Sequence, residues 1–219
     1  MQLEGRKILI TAGPTYEAID PVRFIGNHSS GKMGYAIVDV LVANGAEVTL
    51  VTGPTSLKAN SKANVLEVRS AKEMYEMVIS YLSDQDVVIL TAAVADYTPK
   101  IVSSTKIKKK DNEMFLELVK TKDIAKEVGL LKTKEQITVG FALETDDEQV
   151  NANKKLLSKN LDFIVLNSMK NEGTCFGGDN NKITIIETSK LTEFETKPKL
   201  DVAKDIVNYL KDKIDEKFN

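Results

Sequence analysis

With one cysteine and one histidine among 219 residues, the chain is short of two of the commonest reactive side chains. A lone Cys175 forms no internal disulfide, and the pair cannot build a Cys/His metal cluster. A Mg2+ ion held by carboxylates or phosphates stays open. No apolar run is long enough to span a bilayer. The opening residues Met1-Gln2-Leu3-Glu4-Gly5-Arg6-Lys7 lack a signal-peptide core. These absences imply a reducing cytoplasm and empty the Asn27-His28-Ser29 glycosylation match of meaning. The net charge of −2 offers no overall excess of positive charge for nucleic acid. The Gly-rich G-x-G-x-x-G turn of dinucleotide binding is missing as well.

What is present is ordinary in amount and regular in arrangement. Apolar residues make up 42% and charged residues 28%, enough for a true core in one domain over residues 1–219. Short apolar runs at 7–11 (KILIT), 47–52, 65–68, 87–91 (VVILT), 137–141 (ITVGF) and 163–167 (FIVLN) read as buried strands. Between them, apolar residues at helical spacing predict helices over 33–44, from the capping box at Ser70 to about Ser83, and over 147–159. Gly45 is placed to end the first helix. Segments 182–187 and 192–195 read as a late β-hairpin around Ser189-Lys190. A closing helix over 199–217 carries Val202, Ile206, Leu210 and Ile214 on one stripe. Strands alternating with helices predict an α/β fold: an open, doubly wound, Rossmann-like and mostly parallel sheet with a late β-hairpin.

Ligands of such sheets lie beyond the carboxyl ends of the strands. The segments following Thr11 and Thr91 are far longer than the roughly 2–6 residues that usually join strand to helix. In the first, Gly26-Asn27-His28-Ser29-Ser30-Gly31-Lys32 fits most of a P-loop. Met33 stands where the Mg2+-binding hydroxyl belongs, and about fifteen residues intervene after the strand, so a P-loop NTPase is not predicted. Ser29, Ser30 and Gly31 nevertheless precede a helix whose N-terminal N–H groups favour an anion, and Lys32 adds a charge. Simple helix capping by the two serines is compatible with that role. Arg23, in the Pro-containing Asp20-Pro21-Val22-Arg23 turn, could fork a phosphate or carboxylate. His28 alone is a poor general base.

In the second long loop, Ala92-Ala93-Val94-Ala95 lets a ligand approach the backbone closely, and Asp96 follows. The run Lys106-Ile107-Lys108-Lys109-Lys110 is either a solvated edge or a set of lysines that folds over phosphates. A lysine there would stabilise charge on a pentavalent phosphorus and on departing pyrophosphate. Lys155 and Lys159, four apart, share a helix face, as surface lysines commonly do.

These segments together resemble the phosphopantothenoylcysteine synthetase (phosphopantothenate–cysteine ligase) family of coenzyme A biosynthesis. The matching stretches are ITAGPTYEAIDPVRFIGNHSSGKMG (residues 10–34), AAVADYTP (92–99), KIKK (106–109), VGFALET (139–145), KNLD (159–162) and FGGDNN (176–181). The resemblance implies a two-step ligation. The 4′-phosphopantothenate carboxylate attacks the α-phosphate of a nucleoside triphosphate, and the L-cysteine amine then displaces the nucleotide. It implies Lys106 as the residue needed for acyl-nucleotide formation, and Asn27 for its resolution with support from Arg23 and Ala93. Ala92, Asp96, Lys106, Phe141, Lys155 and Lys159 fall on nucleotide-binding positions, and Ser29, Ser30, Gly31 and Lys32 beside the substrate. The GPTxExIDPVR style implies CTP rather than ATP, with Mg2+, in a homodimer. Lys120-Thr121-Lys122-Asp123-Ile124 departs from the KNPDI-like segment usual there.

Many members of that family are fused behind a flavin-dependent decarboxylase. The chain as given reads as a free-standing form without a flavin decarboxylase domain, with a separate decarboxylase as a possible partner. Two other classes are carried beside this reading. An NAD(P)-binding oxidoreductase would use a similar sheet, but needs a Gly-rich turn and a catalytic donor pair that are not visible. A regulatory module would bind the nucleotide without turnover. Nucleic-acid binding by the lysine run would need interleaved aromatics, which residues 106–110 lack.

Overall fold

A computed structural model describes residues 3–108, 113–144, 146–168 and 178–218. Lys109, Lys110, Thr145, Cys175, Phe176 and Gly177, singled out from the sequence, lie outside them. In chain order the elements are β1 (Lys7–Ala12), β2 (Tyr16–Ala18), β3 (Phe24–Gly26), α1 (Lys32–Ala43), β4 (Glu47–Thr52), β5 (Asn64–Glu67), α2 (Ala71–Leu82), β6 (Val87–Leu90), β7 (Tyr97–Pro99) and β8 (Leu118–Lys120). There follow α3 (Ile124–Leu131), β9 (Ile137–Glu144), α4 (Glu148–Ser158), β10 (Phe163–Ser168), β11 (Asn180–Asn181), β12 (Ile183–Ile186), β13 (Leu191–Glu193), β14 (Lys197–Pro198) and α5 (Lys199–Phe218).

The main sheet has eight strands in the order β13-β12-β10-β9-β6-β1-β4-β5. The six from β5 to β10 are parallel, and β12 and β13 add antiparallel at one edge. Chain order therefore reverses between β1 and β6, which is where a doubly wound sheet opens its crevice. The expected late hairpin is the β12–β13 pair, with Ile186 opposite Leu191.

Alternation along each strand sorts the core into two layers. Ile8, Ile10 and Ala12 of β1, Val87 and Ile89 of β6, and Phe163 and Val165 of β10 face α1 and α5. Leu9 and Val88 face α2 and α3, while Ile164 and Leu166 face α4. The stripe read on α5 is buried in full: Val202, Ile206, Leu210 and Ile214. The capping box of α2 also forms, with Ser70 accepting from the Glu73 N–H and Glu73 reaching back to Ser70 N.

Two expectations change. Neither Ser29 nor Ser30 occupies the N-cap position of α1. Its N-cap is Gly31 at φ 78°, with no side-chain cap. Ser29 Oγ accepts from Gly31 N at 3.3 Å, and Ser30 Oγ from Lys32 N, the first N–H of the helix, at 3.5 Å. The long loops are also less irregular than their composition implies. The first folds into the β2–β3 hairpin and the second into β7–β8, and α3 forms over a stretch to which the sequence reading assigns no element.

Candidate functional site

The loops that leave β1 and β6 do not splay apart at the switch point. Thr91 Oγ1 donates to the Thr11 carbonyl at 2.6 Å, and Ala92 N to Thr11 Oγ1 at 3.2 Å. Ala93 N donates to the Gly13 carbonyl at 2.9 Å, and Thr15 N returns a bond to the Ala93 carbonyl at 3.2 Å. Ala95 N then reaches the buried Thr15 Oγ1 at 2.9 Å. Gly13 makes this possible: its φ of 74° is left-handed, and a Cβ there would stand 3.1 Å from the Gly53 carbonyl oxygen. Asn27 closes the arrangement, donating from Nδ2 to the Ala93 carbonyl at 3.0 Å.

Above this seam lies a cavity of about 930 Å3, of the size that takes a small-molecule ligand. Of the residues selected from sequence, it gathers Asn27, Ser29, Ser30, Gly31, Lys32, Ala92, Ala93, Asp96, Phe141, Lys155 and Lys159. The first turn of α1 comes close because residue 34 is glycine. A Cβ at Gly34 would meet Thr91 Oγ1 at 2.6 Å and Ala12 Cβ at 2.7 Å. The start of α1 is thereby held over the ends of β1 and β6, with its dipole toward the cavity.

The opposite wall comes from α3 and α4. Lys159 Nζ pairs with Asp123 at 3.0 Å, and Asp123 also caps α3 by accepting from Lys126 N at 3.1 Å. Lys155 Nζ pairs with Glu144 at 2.7 Å. Lys120, Lys122 and Lys126 line the same side. Lys120 and Lys122 belong to the segment that departs from the family pattern; Lys126, and Lys199 at the start of α5, were not singled out from sequence because they stand among 30 basic residues. The signal for Lys199 was its place directly after Pro198, at a helix start.

Arg23 and Lys106 lie outside the cavity lining. Asp20, buried at 3% exposure, explains where they are instead. Its Oδ1 accepts from Val22 N at 2.8 Å and Arg23 N at 2.9 Å. Its Oδ2 accepts from Arg23 Nε at 3.0 Å and Ile107 N at 3.1 Å. Arg23 Nη2 donates to the Ile107 carbonyl at 3.0 Å. The carboxylate and guanidinium thus clamp Ile107 on both its peptide groups and hold exposed Lys106 on an outer strap. The Arg23 hydrogen bond, aided by the three backbone N–H donors, keeps the Asp20 carboxyl far below the usual carboxylate range although burial opposes it.

Fold and cavity together define a doubly wound α/β protein with a cation-walled ligand site at its switch point. The family model for the DNA/pantothenate metabolism flavoprotein C-terminal domain matches residues 3–214. The chain belongs to that family. It is 51% identical to the coenzyme A biosynthesis bifunctional protein CoaBC of Bacillus subtilis (strain 168), over 94% of this chain and 51% of that protein. It is 54% identical to a cysteine/cysteine sulfinic acid decarboxylase of an unknown prokaryotic organism, over 94% of this chain and 58% of that one. The chain therefore spans between half and three-fifths of these curated relatives. The crystal structure of the C-terminal domain of a coenzyme A biosynthesis bifunctional protein CoaBC superposes with a TM-score of 0.84 at 42% identity, covering 98% of both chains.

Proposed function

We propose that this chain is a phosphopantothenate–cysteine ligase of coenzyme A biosynthesis that forms an amide at the expense of CTP. One observation carries the reading. Asn27 is seated on the Ala93 carbonyl at the switch point, in the same cavity as the Lys155 and Lys159 wall. A ligase of this kind must bring a carboxylate to a triphosphate, two anions that repel. The lysines lower that repulsion, and the starts of α1 and α3 add partial positive charge.

In the first step a carboxylate oxygen of 4′-phosphopantothenate bonds to the α-phosphorus of CTP, and the bond to the β-phosphate oxygen breaks. The products are acyl-CMP and pyrophosphate. In the second the L-cysteine amine attacks the acyl carbon, loses a proton, and CMP leaves. Asn27, fixed by the Ala93 carbonyl, is placed to hold the acyl group during that attack. Ala92, Asp96 and Phe141 contact the nucleotide, and Ser29, Ser30, Gly31 and Lys32 border the substrate. Mg2+ supplies charge neutralisation on the triphosphate. Among the described residues no three His, Cys, Asp or Glu side chains are grouped to hold a metal. The ion therefore fits as one borne by phosphate oxygens.

Lys106 and Arg23 complete the proposal from the strap. They adjoin the hairpins β2–β3 and β7–β8, which expose Val22, Phe24, Tyr97, Leu118 and Val119. An exposed apolar face of this kind supports the homodimer reading, in which a second copy covers it. The reaction belongs to the cytoplasm, and no helix among the described residues is long and apolar enough to cross a membrane. A decarboxylase, separate or fused, would act on the cysteinyl carboxylate of the product.

The test is direct. Protein, Mg2+, 4′-phosphopantothenate and CTP are mixed with and without L-cysteine, and pyrophosphate and CMP are followed by chromatography, with ATP in parallel. Cysteine-dependent CMP with a new thiol product, faster with CTP than with ATP, is expected. Folded protein that forms no product with either nucleotide overturns the ligase.

A further inference from the structure

Among the described residues, helix α2 adds nothing to the cavity lining, yet the first loop is fastened to it. Strand β2 runs along the segment that opens the helix. Tyr16 N donates to the Arg69 carbonyl at 2.7 Å, and Glu17 Oε1 accepts from Ala71 N at 2.8 Å. Both residues of the second bond are buried, Glu17 at 4% exposure and Ala71 at 1%. Ala71 is the first residue of α2, so its N–H has no partner within the helix. The capping box serves the neighbouring groups. Ser70 Oγ accepts from Glu73 N, and Glu73 Oε2 accepts from Ser70 N and Arg69 N. Glu17 supplies the acceptor that the box leaves out, at a place closed to water.

The same contacts fix the hairpin. Glu17 stands opposite Ile25, and Tyr16 opposite Gly26. The Tyr16 ring stacks on Phe24 with centroids 3.9 Å apart. It also covers Gly26 so closely that a Cβ there would stand 2.7 Å from the ring. Strand β3 is thereby held in one register against β2, and Asn27 is the residue that follows β3. Asn27 has a short side chain and must meet the Ala93 carbonyl, which belongs to a different loop. A shift of β2 along α2 would carry Asn27 away from it. Lys106 differs in this respect, because a flexible four-carbon stem can take up a small displacement of its backbone.

We propose that Glu17 is a positioning residue for the second half-reaction. It anchors β2 to the start of α2 and so sets where Asn27 stands when the amine attacks. The step it serves rests on the ligase reading, whereas the anchor itself does not.

The experiment compares wild type with Glu17→Ala, Glu17→Asp, Glu17→Gln and Ser70→Ala. Pyrophosphate is followed after mixing with 4′-phosphopantothenate and Mg2+–CTP, and CMP after L-cysteine is added. Glu17→Ala should form pyrophosphate at close to the wild-type rate. Its cysteine-dependent CMP release should fall by about tenfold or more, as misplacement of a reacting group does, and acyl-CMP should accumulate. Glu17→Asp, one methylene short, should show the same change in smaller measure. Glu17→Gln keeps the accepting oxygen and should restore most of the second step. Ser70→Ala breaks the cap of the same helix without touching the hairpin. It should lower the urea midpoint and leave the ratio of the two rates as in wild type. A wild-type ratio in Glu17→Ala, or an equal change of ratio in Ser70→Ala, overturns the proposal; if Glu17→Ala does not fold, a wild-type ratio in Glu17→Asp does so. Hydrogen exchange without substrates separates the anchor from the ligase reading. Amides of β2 and β3 should exchange faster in Glu17→Ala or Glu17→Asp than in wild type, and not in Ser70→Ala. Faster exchange together with a wild type that does not ligate sinks the ligase and leaves the anchor. Unchanged exchange in a wild-type background that ligates sinks the anchor alone.

Discussion

Asp20 illustrates how a buried side chain can matter without touching a ligand. Replacing it with Asn removes the acceptor for Ile107 N–H and the charge that holds Arg23. The strap bearing Lys106 should then loosen. For Asp20→Asn, the Ile107 amide is expected to exchange faster with solvent, and pyrophosphate formation to fall by at least about tenfold, as misplacement of a reacting group does. Wild-type exchange at Ile107 would refute the clamp. Little of this was legible in the sequence. Asp20-Pro21-Val22-Arg23 marked a turn, but the partner of both charged residues is a peptide unit more than eighty positions away. Lys155 and Lys159 were equally opaque from spacing alone, which any solvated helix shares. Only the resemblance gave them a role.

At the scale of elements, close approach governs the site. Gly34 lets α1 lie against β1 and β6, and no side chain can be added without moving backbone or the short Ala12 and Thr91 side chains. Helix propensity favours Ala over Gly by about 1 kcal/mol, whereas overpacking costs about 1–3 kcal/mol. Gly34→Ala should therefore be nearly neutral to mildly destabilising. Gly34→Val, with less propensity gain and more bulk, should lose at least about 2 kcal/mol in urea unfolding and weaken nucleotide binding as well. Equal stability of the Val variant and wild type would show that the approach is not tight. The eight-residue α3 escaped the sequence reading for a related reason. It contains Gly129, a poor helix former, yet a Cβ there would collide with the Lys159 carbonyl. Its helical propensity was sacrificed to the crossing that brings Lys159 to Asp123. The hairpins β2–β3 and β7–β8 escaped because three-residue strands are too short to show a period. The strands of the parallel sheet, by contrast, were plain as apolar runs between turn residues.

Across the molecule, the amino-terminal end of the central strands, opposite the site, is held by charge. Asp162, before β10, accepts from Thr138 N at 2.7 Å and from Lys132 Nζ at 2.7 Å, and pairs with Lys217 near the end of α5 at 3.4 Å. Burial pushes its carboxyl up, but the Lys132 and Thr138 hydrogen bonds and the two lysine charges prevail and leave it below the ordinary value. A carboxyl depressed in the folded state stabilises above its unfolded pKa of about 3.9, and that stability is lost as pH falls through the folded value. Asp162→Asn is expected to cost roughly 1.5–3 kcal/mol at neutral pH. The gap from wild type should close below about pH 4, as read from urea midpoints across pH. A gap that persists undiminished in acid would exclude this account. Alternating strands and helices announced a doubly wound sheet in advance. The contacts that lock the far end of its strands were not readable, because they join residues brought together from β9, α5 and the ends of α3 and α4.

The hydrogen-bonded seam between the loops after β1 and β6 has a mechanical consequence. In most doubly wound sheets those loops diverge and can move independently. Here they are stitched from Thr11 and Thr91 out to Thr15 and Ala95, with Asn27 fastened on top. They form one rigid jaw. A ligand that pulls on Asn27 pulls on the backbone leading to Asp96 too, so the two sides of the cavity shift together and cannot be retuned one at a time.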